Sequence, residues 1–265
     1  MDAGVTDRGS DLVRIDGHLL DLRIVGEGDG SPSVVFLHEG LGSVDLWRSF
    51  PADVVDRVGE RAVVYSRYGH GWSDVQREPR PLDFMHHEGL VVLPELLEAV
   101  GVVDPILIGH SDGASIALLH ASEHPVAGLV LLAPHVFTEP MGLAEIAGFT
   151  ARFHDTDLAQ RMAKYHRDPV ATLNAWANVW NDPQFVPWNI ESCLSSIACP
   201  VLVIQGVDDQ YGTLAQVEAV ASQVSGEVDQ LILDSCRHSP HLDRPDETVQ
   251  ATVDFINLLR GRLDE

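Results

Sequence analysis

The chain has 265 residues, 45% of them hydrophobic, and a formal net charge of -23 at pH 7. This length suits one large α/β domain, and the charge disfavours binding to nucleic acid or to an anionic membrane. No apolar run approaches the roughly 20 residues of a membrane span. Lys164 is the only lysine, a bias that a GC-rich genome explains better than adaptation to high salt.

The N-terminal segment MDAGVTDRGSD is polar and acidic, so it lacks the basic and apolar regions of a signal peptide. Cys193, Cys199 and Cys236 show no metal-type pairing. We therefore expect a cytoplasmic protein that uses no metal and no cofactor. Its partner would be a small-molecule substrate, not nucleic acid and not a membrane, and a homodimer is left open.

Strands are predicted for short apolar runs and helices for segments with apolar residues three or four apart. In chain order these are the strands HLLDLRIVGEG and SVVFLH, the helix VDLWRSFPADVVDRVG (interrupted or beginning near Pro51), the strand RAVVYS, the helix LDFMHHEGLVVLPELLEAVG, the strand PILIGH, the helix SDGASIALLHASEHP, the strands VAGLVLLAP and CPVLVIQG, the helix TLAQVEAVASQVSG, the strand VDQLILDSC and the helix PDETVQATVDFINLLRGRL. This alternation predicts an α/β fold, with a mostly parallel central sheet covered by helices on both faces.

One stretch breaks the alternation, because no convincing strand occurs between His135 and Ser195. Its patterns are helical, and it contains three of the five tryptophans, Trp176, Trp180 and Trp188. We predict a helical cap at 135–195, inserted into a core formed by 1–134 and 196–265.

The tetrapeptide HEGL occurs twice, at 38–41 and at 87–90. The zinc-protease pattern H-E-x-x-H would need a second histidine at position 42 or 91, where the chain has Gly42 and Val91. The first copy follows a predicted strand and the second lies in a predicted helix. We therefore interpret the repeat as chance, and the first copy needs another explanation.

The segment IGHSDGAS at 108–115 places a G-x-S-x-G pattern between a predicted strand and a predicted helix. This context is the one in which the motif holds a nucleophilic serine on a strained turn. Gly109 and Gly113 are expected because side chains there would collide across the turn. The helix N-terminus behind Ser111 favours developing negative charge. Ser111 is the predicted nucleophile.

A serine nucleophile needs a base and an acid that orients the base. Two adjacent aspartates end the strand VLVIQG, and we favour Asp209 over Asp208 as the acid. Two histidines follow the next strand in CRHSPHLDRP. We favour His238 over His241 as the base, because His238 lies nearer the end of that strand. The chain order Ser, Asp, His is the one expected for this type of strand–turn–helix serine.

Five segments in this order, LHEGLGS, YSRYGHGWSD, IGHSDGAS, VLVIQGVDDQ and CRHSPHLDRP, resemble the α/β-hydrolase fold superfamily over nearly the whole chain. The resemblance implies a serine hydrolase with a Ser-Asp-His triad and a helical cap. It also implies an oxyanion hole formed by the backbone N–H groups of Gly40 and Asp112. LHEGLGS would be the loop that supplies the first donor.

Glu39 departs from the glycine that this family usually has after the histidine. A free carboxylate there would oppose an oxyanion by like charge, so we predict that Glu39 pairs with Arg67. Asp112 is a second unusual acid, and we interpret its side chain as a cap of the following helix. Serine at position 111 disfavours a dehalogenase or an epoxide hydrolase, which would need a nucleophilic aspartate.

A capped apolar pocket is expected over Ser111. Its predicted wall comprises Glu39, Trp47, His135, Phe137, Tyr165 and Trp188, drawn from a wider set that includes His166, Trp176 and Trp180. Ordinary packing explains any single one of these aromatic residues at least as well. Arg152, Arg161 and Arg167 could bind a substrate carboxylate, although a solvated helix face accounts for them equally.

The sequence predicts a cytoplasmic serine hydrolase that cleaves a small or medium carboxylic ester through an acyl-enzyme. Alternatives with the same triad are a carbon–carbon bond hydrolase for ring-cleavage products, a lactonase and a thioesterase. A non-catalytic ligand-binding protein of the same fold is the alternative from another class, and the complete set of triad residues argues against it.

Overall fold

A computed structural model of the protein describes residues 11–153 and 156–263, so most of the acidic N-terminal segment in which we predict no signal peptide lies outside the described residues. The strands in this part of the chain are β1 Asp11–Ile15, β2 His18–Val25, β3 Val34–Leu37, β4 Ala62–Tyr65, β5 Ile106–His110, β6 Gly128–Leu132, β7 Val201–Gly206 and β8 Val228–Leu233.

The helices are α1 Phe50–Val58, α2 Phe84–His87, α3 Leu93–Val100, α4 Asp112–Glu123, α5 Pro140–Phe153, α6 Leu158–Met162, α7 Pro169–Trp180, α8 Glu191–Leu194, α9 Leu214–Gln223, α10 Pro240–Asp243 and α11 Pro245–Leu263. A 3₁₀ turn, Val44–Trp47, precedes α1, and a π-helical segment, Glu88–Val92, joins α2 to α3. Among the described residues, no helix combines the length and the apolar character needed to cross a membrane.

The strands form one sheet in the order β1-β2-β4-β3-β5-β6-β7-β8. The pairs β1–β2 and β2–β4 are antiparallel and all the others are parallel, which confirms the predicted mostly parallel sheet. The chain runs outward from β3 to β4 and then returns to place β5 on the other side of β3. Ligands bind α/β sheets at the carboxyl ends of strands beside such a switch in direction.

Helices cover both faces of the sheet, and the residues of β3 show how. Val35 and Leu37 pack into an apolar cluster with α3, α4 and α9, whereas Val34 and Phe36 pack into a second cluster with α1 and α11. All four residues are fully buried. A strand buried on both faces has a continuous apolar sequence, which is why SVVFLH is recognisable as a central strand.

β1 is not among the strands predicted from the sequence. It pairs with β2 through a two-residue hairpin in which Asp16 has φ 48° and Gly17 has φ 78°. Positive φ at both central residues defines the turn that Asp-Gly favours between strands. The dipeptide was therefore the available signal, although the exposed face of DLVRI weakens the apolar pattern around it.

The second HEGL copy lies where α2 passes into the π-helical segment, whereas the first copy follows β3. A Cβ atom on Gly89 would lie 2.9 Å from the carbonyl oxygen of Ile116 in α4. Glycine at this position lets the two helices approach closely. The two copies therefore occupy unrelated local structures, as predicted.

The stretch predicted to form a cap contains α5, α6, α7 and α8, and no named strand occurs in its described part. The longest helices of this stretch are α5 and α7. The Asp168 side chain caps α7 by accepting a hydrogen bond from the Ala171 N–H at 3.0 Å, and Pro169 occupies its first turn. This local sequence is a strong helix start, and it sets the position from which Trp176 and Trp180 reach the site.

Candidate active site

Ser111 lies at the corner between β5 and α4. Its backbone has φ 53° and ψ -117°, a strained conformation for a residue with a side chain. A Cβ atom on Gly113 would lie 1.9 Å from the Leu37 carbonyl oxygen, and one on Gly109 would lie 2.4 Å from the Gly113 carbonyl oxygen. Both glycines are therefore needed for the tight corner, which directs Ser111 away from the sheet.

Three side chains predicted to act together are adjacent in the structure. Ser111 Oγ lies 2.9 Å from Nε2 of His238. Nδ1 of His238 lies 2.9 Å from Oδ1 and 2.8 Å from Oδ2 of Asp209. These distances form a continuous hydrogen-bonded chain from hydroxyl to imidazole to carboxylate.

Asp209 is fixed by donors other than the histidine. The N–H of Tyr211 donates to Oδ1 at 2.8 Å, and the amide of Gln205 donates to Oδ2 at 2.8 Å. Burial raises the pKa of Asp209, but the hydrogen bonds from His238 and the Tyr211 N–H, together with the nearby imidazoles, outweigh it and lower the pKa below its usual value. The carboxylate therefore stays ionised beside the imidazole.

The two residues that the sequence left as alternatives lie elsewhere. Asp208 is exposed to solvent. His241 is buried beside Trp47 and Phe50, with ring centroids 5.0 and 5.5 Å from theirs. Burial lowers the pKa of His241 to about 3. His241 therefore packs as a neutral ring instead of contacting Ser111.

The loop after β3 is held by its carbonyl groups. Arg67 donates to the carbonyl oxygens of His38 and Glu39, the latter at 3.0 Å. Nε2 of His38 accepts from the Arg67 N–H at 3.0 Å, so Nδ1 carries the ring proton and donates to the Glu39 carbonyl at 2.7 Å. A trans peptide directs its C=O and its N–H to opposite sides. Fixing the Glu39 carbonyl therefore turns the Gly40 N–H away from Arg67.

Two further histidines contact the next carbonyls of this loop. Nε2 of His70 lies 3.0 Å from the Gly40 carbonyl oxygen. Nδ1 of His166 accepts from the Gly71 N–H at 3.0 Å, so its Nε2–H donates to the Leu41 carbonyl at 3.0 Å. Burial lowers the pKa of both rings, to about 4 for His166. The carbonyl oxygens of residues 38–41 thus all face buried side chains.

The prediction that Glu39 pairs with Arg67 is wrong, because Arg67 is already engaged by main-chain carbonyls. Oε2 of Glu39 lies 3.6 Å from Nδ1 of His110. Burial would raise the pKa of Glu39, but the His110 imidazole lowers it below its usual range. His110 in turn contacts the carbonyl oxygen of His238 through Nε2 at 2.7 Å. Glu39 therefore lies beside a ring whose other nitrogen contacts the main chain of the residue that faces Ser111.

Asp112 does not cap α4 as interpreted from the sequence. Ser111 occupies the N-cap position, and its own carbonyl accepts from the N–H groups of Ala114 and Ser115 at 2.9 and 3.1 Å. Oδ2 of Asp112 is buried without a hydrogen-bond partner. Burial raises the pKa of Asp112, against the opposing effect of Arg67 and Arg80.

A cavity of about 90 Å³, partly open to solvent, lies over Ser111. Its wall includes two of the predicted wall residues, Glu39 and His135. Burial lowers the pKa of His135 to about 3, so this ring is neutral. The complete lining is Glu39, Gly40, Leu41, Ser111, Asp112, His135, Ile146, Trp176, Trp180, Tyr211 and His238.

Four predicted wall residues lie outside this cavity. Trp47 is buried among Phe36 and Phe50 in the apolar cluster that packs beneath α1. Tyr165 accepts a hydrogen bond from Arg48 at 2.8 Å and lies under its guanidinium. Phe137 forms an isolated bridge with Asn189, and Trp188 stacks on Phe185.

The wall also contains residues that the sequence analysis did not select. Trp176 and Trp180 belonged only to the wider aromatic set, although they lie four apart in a stretch with helical patterns, a spacing that puts two residues on one helix face. Tyr211 follows Asp209 by two residues, which was an available signal. Leu41 and Ile146 gave none, because an apolar residue in a loop or on a helix has no distinctive pattern.

Comparison with known proteins defines the class. A model described as the alpha/beta hydrolase family matches residues 34–251. The chain therefore belongs to this family, and the protein is a hydrolase.

Two curated relatives and one solved structure illustrate the range within the family. The sn-1-specific diacylglycerol lipase ABHD11 of Mus musculus is 33% identical over 100 residues, which cover 37% of this chain but only 31% of that protein. The proline iminopeptidase of Lactobacillus helveticus is 20% identical over 89% of this chain and 93% of that protein. The enol-lactonase from Burkholderia xenovorans LB400 superposes with a TM-score of 0.74, covers 93% of this chain and 100% of its own, and is 19% identical.

Proposed function

We propose that this hydrolase cleaves a small or medium carboxylic ester through an acyl-enzyme on Ser111. The observation that carries the proposal is the hydrogen-bonded chain from Ser111 through His238 to Asp209, at the floor of an aromatic cavity. Two of the three proteins compared above, a lipase and a lactonase, are named for the cleavage of ester bonds.

The steps follow from the positions of the groups. Ser111 Oγ attacks the ester carbonyl carbon while His238 Nε2 takes its proton. Asp209 holds the ring through Nδ1 and stabilises the imidazolium. The N–H groups of Gly40 and Asp112 stabilise the tetrahedral oxyanion, and His238 then protonates the departing alcohol. Water, activated by the same imidazole, releases the acid from Ser111.

The cavity favours an apolar acyl group of modest size. Its volume of about 90 Å³ is below the roughly 300–1,000 Å³ of typical ligand pockets, so this conformation favours a small acyl group. Its apolar wall is formed by Leu41, Ile146, Trp176 and Trp180. Glu39 adds negative charge, so a substrate carboxylate would be repelled. A lactone, being a cyclic ester, satisfies the same requirements.

Hydrolysis of p-nitrophenyl esters of increasing acyl length tests this proposal. Ser111→Ala and His238→Ala should each lower kcat by about 10³-fold or more. A small fluorophosphonate should label Ser111 in the wild type and react far more slowly with His238→Ala. Asp208→Ala is the matched control for Asp209→Ala, because the two residues are adjacent and Asp208 is exposed. Absence of both turnover and labelling in folded wild type would refute the proposal.

A further inference from the structure

We propose that the indole N–H of Trp176 donates a hydrogen bond to the scissile carbonyl oxygen of the substrate and stabilises the oxyanion together with Gly40. This inference rests on the proposed ester hydrolysis at Ser111. It adds to the site a third donor, which comes from α7 instead of from the loops that follow β3 and β5.

The first observation is that this donor is buried without a partner. Trp176 is 7% exposed, and its Nε1 has no hydrogen-bond acceptor in the structure. Buried N–H groups are nearly always paired, and one that is not needs an explanation. Trp176 lines the same cavity as Ser111, so a bound substrate can supply the acceptor.

The second observation is the position of this nitrogen over the oxyanion loop. A Cβ atom on Gly40 would lie 2.0 Å from Nε1 of Trp176, closer than from any other atom of the ring. The indole nitrogen therefore lies directly against Gly40, and a side chain at position 40 would displace it. The two N–H donors consequently belong to one small region of the cavity.

The loop cannot easily move away from the indole. The carbonyl of Glu39 is fixed by Arg67 and His38, and that of Gly40 lies 3.0 Å from Nε2 of His70. Donors that are fixed before the reaction need no reorganisation when charge develops, and this makes them effective in stabilising a transition state.

The other indoles of this stretch differ in position. Nε1 of Trp180 is also unpaired, and this residue also lines the cavity, but its side chain faces Asp112, whose pKa it lowers against the larger effect of burial. Nε1 of Trp188 is also unpaired, but this residue lies outside the cavity and stacks on Phe185. Trp176 therefore combines an unpaired N–H with a place beside the proposed oxyanion donor.

The substrate offers two oxygen atoms, and geometry distinguishes them. The alkoxy oxygen of the leaving group must face Nε2 of His238 to receive its proton. The carbonyl oxygen must face Gly40 and Asp112. Because Trp176 Nε1 lies against Gly40, the carbonyl oxygen is the acceptor, and the benefit grows as that oxygen becomes charged.

The test compares Trp176→Phe with Trp188→Phe, which removes an unpaired indole N–H outside the cavity. Trp176→Phe should lower kcat about 10- to 100-fold, somewhat less than the 10²–10³-fold loss typical of a main oxyanion donor. The loss should be the same for aryl and alkyl esters of one acid, since the carbonyl oxygen is common to both. Trp188→Phe should stay within about 2-fold of the wild type.

Inhibition by a trifluoromethyl ketone distinguishes loss of the hydrogen bond from simple loss of packing. This inhibitor forms an oxyanion when Ser111 adds to it. Its affinity should fall in proportion to kcat, whereas KM for the ester should change little. Replacing Trp176 by benzothienylalanine, which keeps the ring shape but has sulfur in place of N–H, should reproduce the Phe result.

Unchanged kcat in Trp176→Phe and in the benzothienylalanine variant, or a loss of kcat confined to alkyl esters, would overturn the role of Trp176. Wild-type turnover and labelling of Ser111 separate that result from failure of the proposed function.

Discussion

At the scale of single residues, Glu39 shows how a carboxylate can sit beside a proposed oxyanion site. Its Oε2 lies 3.6 Å from Nδ1 of His110, whose Nε2 lies 2.7 Å from the carbonyl of His238. A Cβ atom on Gly42 would lie 2.3 Å from Oε2, so Gly42 leaves the space that the carboxylate occupies. The charge is therefore directed at an imidazole.

We expect Glu39→Gln to lower kcat by about 3- to 10-fold, equivalent to roughly 1 kcal/mol of transition-state stabilisation. The reason is that the amide no longer presents a negative charge to the His110 ring, whose Nε2 contacts the main chain at His238. Steady-state kinetics of Glu39→Gln, His110→Gln and the double variant measure the coupling. If the two losses multiply, or if Glu39→Gln raises kcat, the carboxylate acts independently of His110.

At the scale of elements, the link between α6 and α7 is joined to the loop after β3. His166 donates to the Leu41 carbonyl and accepts from Gly71 N–H, so one ring connects three segments. Tyr165 adds a contact with Arg48 at 2.8 Å, next to the 3₁₀ turn. Movement of the predicted cap is therefore coupled to the geometry of the proposed oxyanion loop.

His166→Ala should lower kcat about 10-fold with little change in KM, because it frees the Leu41 carbonyl and loosens the Gly40 donor, while His166 itself does not line the cavity. His166→Gln should recover part of this loss, since its amide can still donate to that carbonyl. The rate of fluorophosphonate labelling should follow kcat.

His120→Ala is the matched control for this prediction. His120 is also buried and contacts a main-chain carbonyl, that of Gly89 at 2.9 Å, but it does not line the cavity. It should reduce stability and leave kcat unchanged. Equal kinetic effects of His120→Ala and His166→Ala would show that the His166 effect is general destabilisation.

Elements also explain which parts of the site the sequence could reveal. Ser111, Asp209 and His238 each follow the end of a predicted strand, and neighbouring parallel strands end at one edge of a sheet, so their proximity could be predicted. The direction in which the Trp47 side chain points could not be predicted, because it depends on which face of the sheet the 3₁₀ turn packs against. The partner of Glu39 was equally hidden, since Arg67 binds main-chain carbonyls that no sequence pattern marks.

At the scale of the whole molecule, the fold buries many histidines as neutral rings. Burial lowers the pKa below the usual 6.5, to about 4 for His120 and His166 and to about 3 for His135 and His241. It also lowers the pKa of His38 and His70 well below that value. In the unfolded chain these side chains would take up protons near pH 6.5.

Stability should therefore fall as the pH drops from 6.5 toward 4. Over this window the unfolded chain binds protons that the folded protein excludes, and each such histidine contributes about 1.4 kcal/mol per pH unit. Above pH 6.5 the rings are neutral in both states, and this source of pH dependence disappears. Urea unfolding followed by tryptophan fluorescence at pH 7.5, 6.5, 5.5 and 4.5 measures the effect.

The acidic composition complicates the wild-type curve, because protonating carboxylates relieves the self-repulsion of a chain with a net charge of -23 at pH 7. Comparison with His120→Gln isolates the histidine contribution, since both proteins share the carboxylates. The variant can still donate to the Gly89 carbonyl, but it takes up no proton at position 120 on unfolding. The free energy of unfolding of the variant should therefore rise relative to that of the wild type by about 1.4 kcal/mol for each pH unit below 6.5. A difference that stays constant from pH 7.5 to 4.5 would mean that His120 titrates alike in both states, and that burial as a neutral ring does not set the acid sensitivity of this fold.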